Sequence, residues 1–292
     1  MSFWTTFWPY FVGVVLLLLG VARILRSGVM KSGGSEQFLA FGPVLFAAPM
    51  GVFGTEHFVF SGVIAEMVPS WLPVHLFWTY LTGTALIAAA VSIVFKRYSG
   101  LAAALLGVML LCFVLMISVP NIAKTPGDRF VLTVLLRDLS FSGAAFALAV
   151  TLGFEPLARN SRIAIGILRF SIAVPAVVFG IEHFLHPGFV PAIPLKHVMP
   201  AWVPVPVAFA YAVGAILIAC GGCIAFDWRG SAAAAILGWM VVILVCVVYG
   251  PMLVGEPSVG VGLNYFMDTL AFGGGVLVWA RALDGGALAP VG

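Results

Sequence analysis

The chain has 292 residues, of which 62% are hydrophobic and 9% charged, with a net charge of +3 and a mean hydropathy of +1.15. A water-soluble domain carries about a quarter of its residues as charged groups, so this composition excludes one and indicates a polytopic membrane protein with the lipid bilayer as its surroundings. The 14 basic residues form no groove-sized patch and no nucleic-acid motif occurs, so no nucleic-acid partner is expected.

In chain order, the first apolar run is Phe11 to Ala22. It is preceded by Trp4, Phe7, Trp8 and Tyr10 and followed by Arg23, Arg26 and Lys31. A secretory signal has the opposite polarity, with charge before its apolar core. The run therefore reads as a retained helix with its N-terminus outside. Runs of about 20 residues, enough to cross a bilayer, fall near 8–27, 37–60, 74–95, 100–120, 130–152, 161–184, 204–225, 231–250 and 262–282. They are continuously apolar, whereas the strands of a membrane barrel alternate. The prediction is an all-α protein of about nine transmembrane helices.

Eight of the nine form a repeat. PSWLP at Pro69–Pro73 matches PAWVP at Pro200–Pro204, and the two copies align without a gap to Pro120 and Pro251, with 19 of 52 positions identical. Upstream, FGTEHF (Phe53–Phe58) matches FGIEHF (Phe179–Phe184) once five extra residues are allowed in the second connecting loop. The organisation is an N-terminal helix and basic loop (1–36), a first four-helix unit (37–160) and a second (161–292). Two tandem four-helix bundles are expected. Four helices is an even number, so both units enter the membrane from the same side. With the N-terminus outside, ten basic residues lie inside: Arg23, Arg26, Lys31, Lys96, Arg97, Arg159, Arg162, Arg169, Arg229 and Arg281. Lys124, Arg129, Arg137 and Lys196 lie outside. The positive-inside rule favours this orientation, N-terminus out and C-terminus in, in the cytoplasmic membrane of a bacterium.

Ionisable residues within membrane segments are functional candidates by default. Glu56-His57 and Glu182-His183 close the first helix of each unit at the outer face. The fourth helices carry Asp138, beside Arg137, and Asp268, about two turns from their outer ends. The two aspartates align with a one-residue shift. Tyr80 and Tyr211 sit at similar depth on the second helices. Each unit is thus expected to gather Glu, His, Tyr and Asp near one end of a bundle. That set can bind a ligand or handle protons, and it can equally serve as interhelical hydrogen bonding. His183, His186 and His197 in the longer second loop form a candidate metal site, although their spacing fits no metal signature and the first unit has no counterpart. Haem is disfavoured because His57 and His183 lie in separate units. Cys220 and Cys223 are spaced for a redox pair or for helix packing. With Cys112 and Cys246 they lie inside apolar runs, so no disulfide framework is implied.

The four-helix unit, the Gly-x-Glu-His-Phe ending of its first helix and the Pro- and Trp-marked start of the next resemble the DoxX-like family of four-helix integral membrane proteins. The resemblance covers both units and leaves out the first helix. It implies a redox- or respiratory-associated protein that binds a quinone or similar lipophilic molecule near the outer leaflet, at Glu56, His57, Glu182 and His183. In that role a histidine would hydrogen-bond the quinone carbonyl. Two other roles stand beside it. One is a non-enzymatic assembly or scaffold subunit with a partner in a membrane complex. The other is a small-solute transporter, for which polar residues near the midplane would be expected.

Overall fold

The computed structural model describes residues 3–31, 34–159 and 161–285, with side chains from Thr6 onward. Both chain ends, residues 32–33, residue 160 and the Trp4 side chain lie outside the described residues. Among the described residues, nine helices are long and apolar enough to span a membrane. They are α1 (Thr6–Arg26), α2 (Glu36–Val59), α3 (His75–Phe95), α4 (Ser99–Lys124), α5 (Arg129–Thr151), α6 (Ser161–Leu185), α7 (Pro206–Ala225), α8 (Gly230–Gly255) and α9 (Val259–Leu283). The protein is an all-α, multi-pass membrane protein.

The backbone repeats its own irregularities. Val74 and Val205, just before α3 and α7, are both left-handed, at φ 57° and 46°. Lys96 and Tyr98 are matched by Asp227 and Arg229 in the same conformation. In α4 and α8 the helix widens to π-type turns over Val114–Ser118 and Val245–Tyr249. Pro120 and Pro251 follow directly. A proline ring clashes with the carbonyl four residues back and offers no N–H, and a wider turn accommodates both defects.

Within each unit successive helices pack as neighbours: α2 with α3, α3 with α4 and α4 with α5, then α6 with α7, α7 with α8 and α8 with α9. The units are also joined to each other. α9 lies against α2 as well as α8, α5 lies against α6 as well as α4, and α5 and α9 meet each other. Eight helices therefore close a ring, with α5 and α9 in contact across it at the internal pseudo-twofold. α1 packs outside the ring on α2. α9 is the most enclosed span: Phe272, Val276, Leu277 and Trp279 are fully buried. The α2–α9 approach is close because Gly274 has no side chain there. A Cβ at Gly274 would lie 2.4 Å from the Phe46 backbone nitrogen.

Candidate functional site

Each residue of the repeated FG-x-EHF stretch has its own task. A Cβ on Gly54 would fall 2.8 Å from the Gly83 carbonyl oxygen, and one on Gly180 would fall 2.7 Å from that of Gly214. These glycines let α2 cross α3, and α6 cross α7, at backbone contact. His57 and His183 pack their Cβ atoms against the same Gly83 and Gly214. Phe58 stacks on Tyr80 with ring centroids 5.5 Å apart, and Phe184 on Tyr211 at 5.1 Å. Both tyrosines are exposed on the outside of the ring. Tyr80 donates to Ser61 Oγ at 3.3 Å. The expected gathering of Glu, His, Tyr and Asp within one unit is corrected: the tyrosines stay outside, because the aromatic stack holds them beside the helix crossing.

The glutamates turn inward. Glu56 is buried, and its Oε1 has no hydrogen-bond partner among the described residues. Asn264 and the charges of Asp268 and Arg137 act on its carboxyl. Asn264 and Asp268 belong to α9, so Glu56 faces the fourth helix of the other unit. Glu182 is also buried, with Oε2 3.8 Å from Arg129 Nη1 and 3.8 Å from His186 Nε2.

Arg137 holds the α5–α9 contact. Its Nη1 donates to Asp268 Oδ2 at 2.8 Å, and its Nε and Nη2 donate to Asp138 Oδ1 at 3.0 and 2.9 Å. Ser118 on α4 donates to Asp138 Oδ2 at 3.2 Å. Arg137 and Asp268 are separated by 131 residues, which is also the repeat spacing from Trp71 to Trp202. They therefore occupy equivalent positions facing one another across the pseudo-twofold. In two identical units the same residue would meet itself there; here a cation meets an anion. Charges removed from water are tolerated only when paired and hydrogen-bonded, and each donor of this guanidinium that points at a carboxylate is satisfied. The one-residue shift that pairs Asp138 with Asp268 in sequence misses Arg137 as the true counterpart.

The loop between α6 and α7 turns inward. It folds back on itself, with Phe189 and Val198 forming an antiparallel bridge, Val190 N–H donating to His197 O at 3.0 Å and Met199 N–H to Gly188 O at 2.8 Å. Every residue from Val190 to Leu195 is buried. Tyr249 donates to the Pro191 carbonyl, and Arg129 donates to those of Pro194 and Leu195. The Arg129 guanidinium also lies 3.9 Å from the Phe189 ring centroid. The loop is thus a plug seated in the second unit. The matching stretch of the first unit, residues 60–74, is five residues shorter, and only Ala65 in it is buried. Side-chain exposure in the two units differs as well. The side chains of Arg137 and Asp138 are 22% and 17% exposed, against 3% for Asp268.

Arg129 is the main clamp on the plug, and Arg129→Met is expected to release it. Protease cleavage within residues 186–200 should then rise at least tenfold while cleavage at 60–74 is unchanged. An equal cleavage rate in the two proteins would contradict the clamp.

The three-histidine metal site is also corrected. Both ring nitrogens of His183 are used internally: Nδ1 bonds the Phe179 carbonyl at 2.5 Å and Nε2 accepts from Ala192 N–H at 3.1 Å. His186 turns to Glu182, and His197 Nε2 lies 3.4 Å from Glu256 Oε2. Among the described residues, no group of three or more His, Cys, Asp or Glu could hold a metal ion. The four cysteines are free, with Cys220 buried and Cys223 partly so, as packing requires.

A family model described as a domain of unknown function (DUF8561) matches residues 46–135, from α2 into the start of α5. No curated protein and no solved structure matches the chain.

Proposed function

We propose that the chain is a DoxX-like, redox-associated membrane protein that holds a quinone-type lipophilic molecule in its first unit, at Glu56 and His57. The observation that carries this reading is the contrast between the two histidines. His183 is buried and capped by the plug, while His57 is only partly buried and no described residue hydrogen-bonds its Nε2. Both glutamates keep a buried oxygen without a hydrogen bond, Glu56 Oε1 and Glu182 Oε2, but Glu182 Oε2 has Arg129 and His186 at 3.8 Å. An unsatisfied buried carboxylate oxygen costs free energy, and a ligand group or its proton would satisfy it. Arg137, whose charge acts on Glu56, and its partner Asp138 are partly exposed and supply further polar groups. Asp268 is closed off behind the α5–α9 contact, and Glu182, as buried as Glu56, faces Arg129 and His186.

The site lies toward the membrane end that carries the Glu-His pairs. The charge distribution along the chain favours that end as the outer one, in a bacterial cytoplasmic membrane. There a lipophilic tail can enter from the outer leaflet, with its head group at Glu56. The family resemblance in FGTEHF and PSWLP supports the same assignment.

Purification into lipid nanodiscs, followed by mass spectrometry and a visible spectrum of the retained small molecules, tests the reading. About one quinone-class molecule per chain is expected. It should be lost in Glu56→Gln/His57→Phe and kept in Glu182→Gln/His183→Phe. Retention of phospholipid alone by the unmodified protein would overturn it.

A further inference from the structure

The hydrogen bond at Nδ1 fixes which proton His57 carries. Nδ1 lies 2.7 Å from the Phe53 carbonyl oxygen. A carbonyl oxygen can only accept, so Nδ1 carries the hydrogen, and in the neutral ring Nε2 is left as a lone-pair acceptor. His183 has the same Nδ1 bond, to Phe179. Its Nε2 accordingly accepts, and what it accepts from is the backbone N–H of Ala192 at the buried tip of the plug. Ala192 holds a φ of 74°, a conformation that a residue with a side chain seldom adopts. The chain tolerates that strain where it delivers a donor to His183. A neutral His57 cannot donate to a quinone carbonyl, which corrects the direction expected from sequence.

We infer that the first unit takes its ligand through a hydroxyl group donated to His57 Nε2, and that the second unit fills the equivalent position with its own Ala192 N–H. This presupposes that Glu56 and His57 hold a lipophilic molecule, and it adds the chemistry of the contact: the occupant is a phenol- or alcohol-bearing lipophile, such as the hydroquinone form of a redox carrier. The second unit is self-occupied, so one ligand binds per chain.

Three probes separate the possibilities in wild-type protein, without a variant that must fold: a short-chain hydroquinone, its dimethyl ether and the corresponding quinone. Each is titrated into nanodisc-embedded protein carrying 15N-labelled histidine. The hydroquinone should bind about tenfold or more tighter than either of the others, the loss of one good hydrogen bond. It should move the His57 Nε2 resonance and leave that of His183 in place. Equal binding of all three would overturn the hydroxyl contact while leaving a ligand in the site. A shift at His183 in place of His57 would overturn the self-occupied second unit. Saturable binding of none would overturn this inference together with the reading beneath it.

Discussion

Replacing Arg137 with methionine is expected to destabilise the protein by about 3–5 kcal/mol, the usual consequence of removing one partner from a buried ion pair. The cost comes from what remains. Asp268 is almost wholly enclosed, with its side chain 3% exposed, and among the described residues its ion-pair partner is Arg137 at 2.8 Å. Asp138 would keep Ser118 but lose both guanidinium bonds. Glu56 would lose the cation in its neighbourhood. Replacing Asp268 with asparagine in the same chain should recover much of the loss, because the stranded charge is then gone. Thermal unfolding in detergent, for the single and double variants, measures both. If the single variant unfolds within a few degrees of the parent and the double does no better, the pair does not hold the two units together.

Gly274→Val is expected to be comparably severe through packing alone. Its first side-chain carbon would sit 2.4 Å from the Phe46 nitrogen and 2.5 Å from the Leu45 carbonyl carbon, both backbone atoms that cannot rotate away. Overpacking a rigid core costs about 1–3 kcal/mol when side chains can shift. Here α9 itself must move off α2, so the upper end of that range or more is expected. Gly222→Val is the control, since a Cβ there meets nothing within 4 Å. The yield of folded protein by size-exclusion chromatography should fall at Gly274 and hold at Gly222.

The helices and their repeat were legible because each run is long, apolar and punctuated by the same prolines and tryptophans. How the units join was not. Adjacent runs pair predictably, but the contacts of α9 with α2 and of α5 with α6 link elements far apart in sequence, and hydropathy carries no signal for them. Arg137 could have been found. An arginine inside an apolar helix needs a counter-charge, and the ungapped repeat spacing places Asp268 opposite it. Its place near the outer end of α5 groups it with the loop charges and masks the pairing. Glu56 and His57 were visible as candidates, but their division of labour was not: a helix presents adjacent side chains about 100° apart, and only the structure shows which one meets α9. Tyr80 and Tyr211 share a helix with Gly83 and Gly214, which places them beside the crossing, where they stack on Phe58 and Phe184. In the second loop, Val190, Ile193 and Leu195 carry the signal for burial, as apolar residues with no reason to face water.

The central claim is that one copy of a duplicated site is filled by the protein's own chain and the other is open. Hydrogen–deuterium exchange of the ligand-free protein in nanodiscs tests it most directly. The amides of Val190, Ala192 and Leu195, each bonded to a partner at 2.8–3.1 Å, should exchange as slowly as the helical core, while residues 60–74 exchange orders of magnitude faster. Exchange in residues 190–195 as fast as in 60–74 would contradict the plug, and with it the distinction between the two units.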